Sequence, residues 1–291
     1  MKSKYTFDKT GKCDLHIHTT ASDGTVPPGT VAALAKNQGF SLIAVTDHDT
    51  LDGVNEAVTA GESEGICVVP GVEISAGREH EVHVLGYGMG KSEALENMLE
   101  RMKQSREQRL EEMLLRLEKN GILIDAATLS TRGTVGRAHI AQAMVEKGYV
   151  SCVREAFSRY LSKGKCAYVE REKPSVHQAI ELIREAGGIP VIAHPGQKKG
   201  ETYWTHARLH SAMEHGLAGI EVYHLSHQEY QLRYFARAAQ ELGLLVTGGS
   251  DFHGIVKPDV MLGSGLERWK TRDTDVSAFI ERLNRNSDNN K

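Results

Sequence analysis

Leu42-Ile43-Ala44-Val45-Thr46-Asp47-His48-Asp49-Thr50 is the stretch on which the reading of this chain turns. Its first half is an apolar run of strand length, and its second half sets two carboxylates and an imidazole at the end of that run. Ionisable groups placed straight after a buried strand carry a desolvation cost unless they are paired or bound to metal. The same arrangement recurs along the chain, in Asp14-Leu15-His16-Ile17-His18, Ser22-Asp23-Gly24, Gly71-Val72-Glu73-Ile74-Ser75, Val82-His83-Val84, Ala193-His194-Pro195 and Ser250-Asp251-Phe252-His253. Several of these also follow apolar runs. A chain that repeatedly delivers His and carboxylate to strand ends is building one polynuclear metal site, which points to an enzyme.

Outward from these motifs, short apolar runs alternate with helical patterns. The runs Cys13–Ile17, Leu42–Thr46, Cys67–Val69, Glu81–Gly86, Ile189–Ala193, Gly219–Val222 and Leu244–Thr247 read as strands. Pro27-Pro28 opens a helix marked by Val31, Leu34 and Ala35, and Gly187-Gly188 ends another marked by Val176, Ile180 and Ile183. Strand–helix alternation predicts an α/β fold with a parallel sheet and helices outside, and seven strands suit barrel-like closure. In such barrels the site lies at the C-terminal strand ends, where most of the motifs stand. One segment breaks the rhythm. Lys91 to Lys119 is a long charged helical run, followed by Ile122-Leu123-Ile124, a turn, and helical stretches Ala138–Glu146 and Val153–Leu161. Residues 93–165 therefore read as a helical insertion (cap) subdomain, and 1–92 with 166–291 as the catalytic domain. The polar tail Asn284–Lys291 is expected to fray.

With 291 residues, 40% hydrophobic and 25% charged, the chain has material for one large α/β domain with an insertion. A net charge of -3 supplies no global basic field for nucleic acid, although a local groove is compatible with it. The four cysteines, Cys13, Cys67, Cys152 and Cys166, form no CxxC pair, which argues against a zinc ribbon or a disulfide scaffold. The first twelve residues hold no apolar signal region and no stretch approaches the length of a membrane span. The expectation is a cytoplasmic protein with no membrane association and no protein partner implied.

In a strand, Asp14, His16 and His18 share one face. The two imidazoles can then hold one cation, with Asp14 orienting an imidazole from behind. Asp49 or Thr50 is expected to cap the helix that starts near Asp52, leaving His48 for metal. Gly71 and Gly77 give backbone freedom around Glu73, whose carboxylate can bridge two cations. His83 is preferred to His80 because Val82 and Val84 flank it in strand alternation. His194 stands before the rigid exit at Pro195, and Gly248-Gly249 lets the chain turn sharply ahead of Asp251 and His253. A donor set of imidazole and carboxylate without thiolate suits Zn, Mn or Fe.

Taken in order, HxH, SDG, TDHDT, GxEIS, HVLGY, AHP and GSDFH resemble the PHP (polymerase and histidinol phosphatase) family, from Cys13 to His253. The resemblance implies a distorted (β/α)7 barrel carrying two or three divalent metals, and phosphoester hydrolysis. It implies a first site of His16, His18, Glu73 and Asp251, a second of Glu73, His83 and His194, and a third of Asp23, His48 and His253. The insertion and Gly219–His224 resemble the subgroup acting on small nucleotides. The implied function is a metal-dependent phosphoesterase on nucleotides such as nucleoside 3',5'-bisphosphates. Alternatives are a cyclic phosphodiesterase, a 5'-3' exoribonuclease on short RNA, a histidinol phosphatase or a non-catalytic metal-bound module. His224 and His227 are the candidate general acids, with His224 also a candidate substrate contact. Arg137 and His139, at a predicted helix start, are candidate phosphate contacts, with Lys198 and Lys199 more simply read as a charged loop.

Overall fold

The computed structural model describes residues 4–77, 80–130, 136–197 and 203–289. All seven predicted strands form: β1 (Lys12–Ile17), β2 (Phe40–Val45), β3 (Cys67–Ala76), β4 (Val82–Tyr87), β5 (Ile189–Ile192), β6 (Gly219–Tyr223) and β7 (Leu245–Gly248). The helices are α1 (Pro28–Asn37), α2 (Val54–Glu64), α3 (Glu93–Glu118), α4 (Ala126–Ser130), α5 (Arg137–Glu146), α6 (Val153–Ala156), α7 (Val176–Glu185), α8 (His206–Glu214), α9 (Glu229–Leu242) and α10 (Arg272–Asn289), with a π-helical turn at Phe157–Leu161. The strands make one mixed sheet in chain order. Their apolar runs are continuous because both faces are covered. Leu42 and Ala44 join a core with Leu15, Val69, Leu85 and Phe279, while Ile43 and Val45 pack with Ile17, Val31 and Ala57 on the other side.

The sheet curls. The Tyr87 hydroxyl of β4 donates to the Leu15 carbonyl of β1 at 2.8 Å, although the two strands are not neighbours in the sheet. Beyond β1 and β7, Ile17 and Phe252 form an isolated parallel bridge, and His18 N donates to Phe252 O at 2.9 Å. Among the described residues the ladders run from β1 to β7 and do not close.

The all-parallel expectation is corrected at β4, which is antiparallel to both β3 and β5. Only residues 77–81 connect β3 to β4, whereas a parallel crossover needs about a dozen residues or more. β3 is also longer than expected, so Glu73 stands within a strand opposite Leu85 and not at a strand end. Of the two glycines expected to loosen the chain around Glu73, only Gly77 takes a left-handed φ, of 79°. The tail does not fray as expected: α10 continues to Asn289. Asn284 pairs with both the amide and the carbonyl of Tyr5 at 2.9 and 3.0 Å, and Asn286 donates to Gly187 O at 3.0 Å.

The chain divides into two compact units, Met1–Glu96 with Lys173–Lys291, and Asn97–Glu172. The second is helical and has its own core, including Met113, Leu117, Leu129, Ile140, Met144 and Leu161. Among the described residues no helix is long and apolar enough to cross a membrane.

Candidate metal centre

The backbone fixes the motif residues before any side chain is considered. The loop after β2 continues its pairing with β3, with Asp49 N donating to Glu73 O at 3.0 Å and Glu73 N to Asp47 O at 3.1 Å, which sets His48 beside Glu73. Asp251 N donates to His16 O at 3.0 Å. Asp49, His194 and Asp251 have φ of 56°, 26° and 57°, and among the described residues no other non-glycine residue has positive φ. Such conformations cost on the order of 1–3 kcal/mol each and persist where the surroundings over-determine them. Asp49 is held by Ser75, whose amide donates to it at 2.7 Å. That contact replaces the expected helix cap, since α2 begins after Gly53 with no side-chain cap. Neither Gly248 nor Gly249 takes a positive φ, so their glycine requirement is not a left-handed backbone. A Cβ at Gly249 would lie 2.1 Å from the His16 Cβ, so glycine is required there by close approach.

Glu73 is fully buried at the centre of five imidazoles. Its Oε1 lies 2.9 Å from both His83 Nδ1 and His194 Nε2. Its Oε2 lies 3.0 Å from His48 Nδ1, 3.2 Å from His18 Nε2 and 3.3 Å from His16 Nε2, yet makes no hydrogen bond with any of them. His18 Nδ1 and His48 Nδ1 are likewise buried without hydrogen-bond partners. His16 Nε2 and His18 Nε2 approach to 3.1 Å. Converging imidazole lone pairs around an unsatisfied carboxylate oxygen fit a divalent cation of hard or borderline character.

All nine residues expected from the sequence come together, in overlapping groups. The groups whose ligand atoms lie within 4.8 Å of one another are His18, Asp23, His48 and His253; His16, Glu73 and His194; His16, His18 and Asp251; and His48, Glu73 and His83. His18 also approaches the Asp23 group, and His83 Nδ1 and His194 Nε2 meet at the same Glu73 oxygen, each 2.9 Å from Oε1. His80 stands apart and exposed, its ring 5.0 Å from that of Tyr203.

Asp14 does not orient an imidazole. Buried completely, it accepts from the amides of His16, Ser250 and Gly263 and from the Ser250 hydroxyl. The orienting carboxylate is Glu221, part of the Gly219–His224 stretch but given no role from sequence: it lies 3.1 Å from His16 Nδ1 and accepts from His194 N at 2.7 Å. Its signal was a lone acid between Ile220 and Val222 in a buried strand. Asp47 accepts from Thr19 N, Thr19 Oγ1 and Ser22 Oγ, tying the loop after β1 to the loop after β2.

Burial opposes charge throughout this cluster, and mutual attraction outweighs it at most positions. Glu73 is held well below the usual carboxylate range against its own burial by His48, His83 and His16, and Asp251 is held low by Lys257, His18 and His224. Burial pulls His18 and His83 down, but hydrogen bonds and charge from Asp251 and Glu73 raise His18 to about 9, and Glu73 and Glu81 raise His83 to about 9. At His194 burial wins, with His83 and His224 adding to it, and the pKa falls to about 4.

The two candidate acids separate. His227 Nδ1 donates to Val222 O at 2.7 Å and its Nε2 accepts from Gly196 N at 3.0 Å, so both ring nitrogens serve the backbone. Burial also lowers its pKa, and the expectation that it delivers a proton gives way. His224 Nδ1 accepts from Ser226 N at 3.1 Å, while its buried Nε2 makes no hydrogen bond and lies 3.7 Å from Asp251 Oδ2. In the helical unit, the Arg137 guanidinium lies 5.7 Å from the Phe157 ring centroid, and His139 Nδ1 accepts from Gly136 N at 3.0 Å. Lys198 and Lys199 lie outside the described residues.

A family model described as PHP domain matches residues 14–185. A 5'-3' exoribonuclease of Haemophilus influenzae is 38% identical over 248 residues, covering 84% of this chain and 90% of that protein. A 3',5'-nucleoside bisphosphate phosphatase of Chromobacterium violaceum is 36% identical over 247 residues, covering 82% and 86%. A solved structure from Bifidobacterium adolescentis, called a metal-dependent phosphoesterase, superimposes with a TM-score of 0.83 at 33% identity, covering 93% of this chain and 96% of its own.

Proposed function

Because the chain belongs to the PHP domain family and is a hydrolase of phosphoric esters, we propose that its substrates are small nucleotides such as nucleoside 3',5'-bisphosphates. In this reading His16, His18, Asp23, His48, Glu73, His83, His194, Asp251 and His253 hold two or three divalent cations, with Glu73 shared between them. The observation that carries it is the buried Glu73 Oε2, approached by three imidazole nitrogens within 3.3 Å and hydrogen-bonded to none. We read the curled sheet as a distorted (β/α)7 barrel and residues 93–165 as an insertion in it.

Cations held by these residues would lower the pKa of water toward neutrality and offset charge on the phosphoryl oxygens. The chain's own part is to orient these groups and to move one proton. Glu221 fixes the His16 ring from behind, as the outer partner of a ligating imidazole does. His224 Nδ1 is held by Ser226, and Nε2 faces Asp251 without a hydrogen bond, the position from which a proton carried by the ring would pass to a leaving oxygen. Arg137 and His139 stay in the proposal as substrate residues on side-chain chemistry alone.

The Haemophilus relative, at 38% identity, favours short RNA as a second reading. Turnover of a nucleoside 3',5'-bisphosphate against 5'-phosphorylated oligoribonucleotides of increasing length separates the two. Rates that hold constant on long chains would overturn the small-nucleotide reading.

Metal loading is expected to depend steeply on pH. Without a cation, His18 and His83 keep their protons up to about pH 9, so ligation must expel them. These raised pKa values stabilise the metal-free fold fully below the ordinary imidazole pKa, and that contribution disappears as pH rises through about 9. Apparent Mn²⁺ affinity should therefore climb from pH 6.5 to 9. Calorimetry in buffers of different ionisation enthalpy should detect proton release at pH 7 that vanishes above pH 9. An affinity flat across that interval would contradict the assigned ligands.

A further inference from the structure

We propose that Lys257 is a phosphate-binding residue of the substrate site, stored on Asp251 until a divalent cation claims that carboxylate. The inference rests on the phosphoesterase reading and extends it to a residue that grips the substrate. Lys257 Nζ lies 2.6 Å from Asp251 Oδ2, while Asp251 Oδ1 turns the other way, 3.3 Å from His18 Nε2. The Asp251 side chain is 8% exposed and that of Lys257 is 36% exposed, so the ammonium reaches both the buried cluster and solvent.

The Lys257 side chain is not needed to shape its loop. Backbone bonds do that: Lys257 N donates to Gly254 O, Val260 N to Lys257 O and Thr25 N to His253 O. Ile255 N donates to Thr25 Oγ1 at 2.9 Å, which ties the loop to the Asp23 segment. What remains for the ammonium is electrostatic. A dication at Asp251 takes over the charge that holds Lys257 and repels an ammonium at so short a distance. The freed lysine is then a mobile cation beside the reacting centre, and a phosphate dianion is the partner that restores its pairing. Next to it, Ile255 and Val256 are 84% and 49% exposed, an apolar lip at the same loop. Ammonium and lip together fit a phosphate ester whose alcohol carries an apolar or planar group, as a nucleoside does.

The test uses metal-loaded protein with Lys257→Met and Lys257→Arg. In Lys257→Met, KM for a nucleoside 3',5'-bisphosphate and the inhibition constant of inorganic phosphate should both rise about tenfold or more, kcat should change less than KM, and Lys257→Arg should recover most of the loss. Mn²⁺ titration of Lys257→Met should give affinity equal to or tighter than that of the parent, because a tethered competitor has been removed. Unchanged KM and phosphate inhibition would overturn the proposal. So would a tenfold loss of Mn²⁺ affinity, which would make Lys257 a mere support for Asp251. If the parent protein releases no phosphate from any ester, the phosphoesterase reading fails by itself. Calorimetric binding of inorganic phosphate to loaded parent and Lys257→Met then decides the role of Lys257 separately, with equal affinities overturning it.

Discussion

Glu73→Gln is expected to abolish cation loading and to lower kcat/KM for phosphate release on the order of 10³-fold or more, about 4 kcal/mol of transition-state stabilisation. The substitution keeps shape and volume and removes one negative charge. That charge faces five imidazoles within 3.3 Å, and its Oε2 finds no hydrogen bond among them. A neutral amide cannot gather cations in their place, and its NH2 would turn a donor toward nitrogens that offer lone pairs to metal. Metal content by mass spectrometry and phosphate release measured together give the answer. Stoichiometric metal with near-parental turnover in Glu73→Gln would remove this residue from the site.

Asp14→Ala should instead act on the fold, costing about 3–5 kcal/mol. The fully buried carboxylate gathers amides from His16, Ser250 and Gly263 and the Ser250 hydroxyl. Each would be left with an unmet hydrogen bond in a dry interior. The bonds from Ser250 and Gly263 join β1 to the segments after β7, where the backbone pairs only through an isolated bridge, so one side chain supplements sparse strand pairing. Denaturant unfolding of parent and variant measures the difference. A loss under about 1 kcal/mol would mean that this join contributes little.

The two substitutions mark different parts of what the sequence conveys. Both residues are acids at the motif strands, and from the sequence both were given roles at the metal. Glu73 is brought to the imidazoles, whereas Asp14 is turned to backbone amides. The outer carboxylate comes from Glu221, which lay in the Gly219–His224 stretch but was assigned no role at the metal. His227 and His224 likewise sat three residues apart with equal claims, until Gly196 and Val222 took both nitrogens of His227.

From the sequence alone came the strand positions, the alternation with helices and the membership of the nine-residue cluster. These are local patterns: an apolar run of strand length, then a polar ligand type, repeated until chance is a poor explanation. The tertiary structure alone decided the reversed direction of β4, the place of Glu73 within a strand and the division of labour among acids and imidazoles. The reason is distance along the chain. His16 meets Glu221 across 205 residues, Asp14 meets Ser250 across 236 and His194 meets Glu73 across 121. A side chain's type is written at its own position, but its hydrogen-bond partner is fixed only when remote strands are packed side by side.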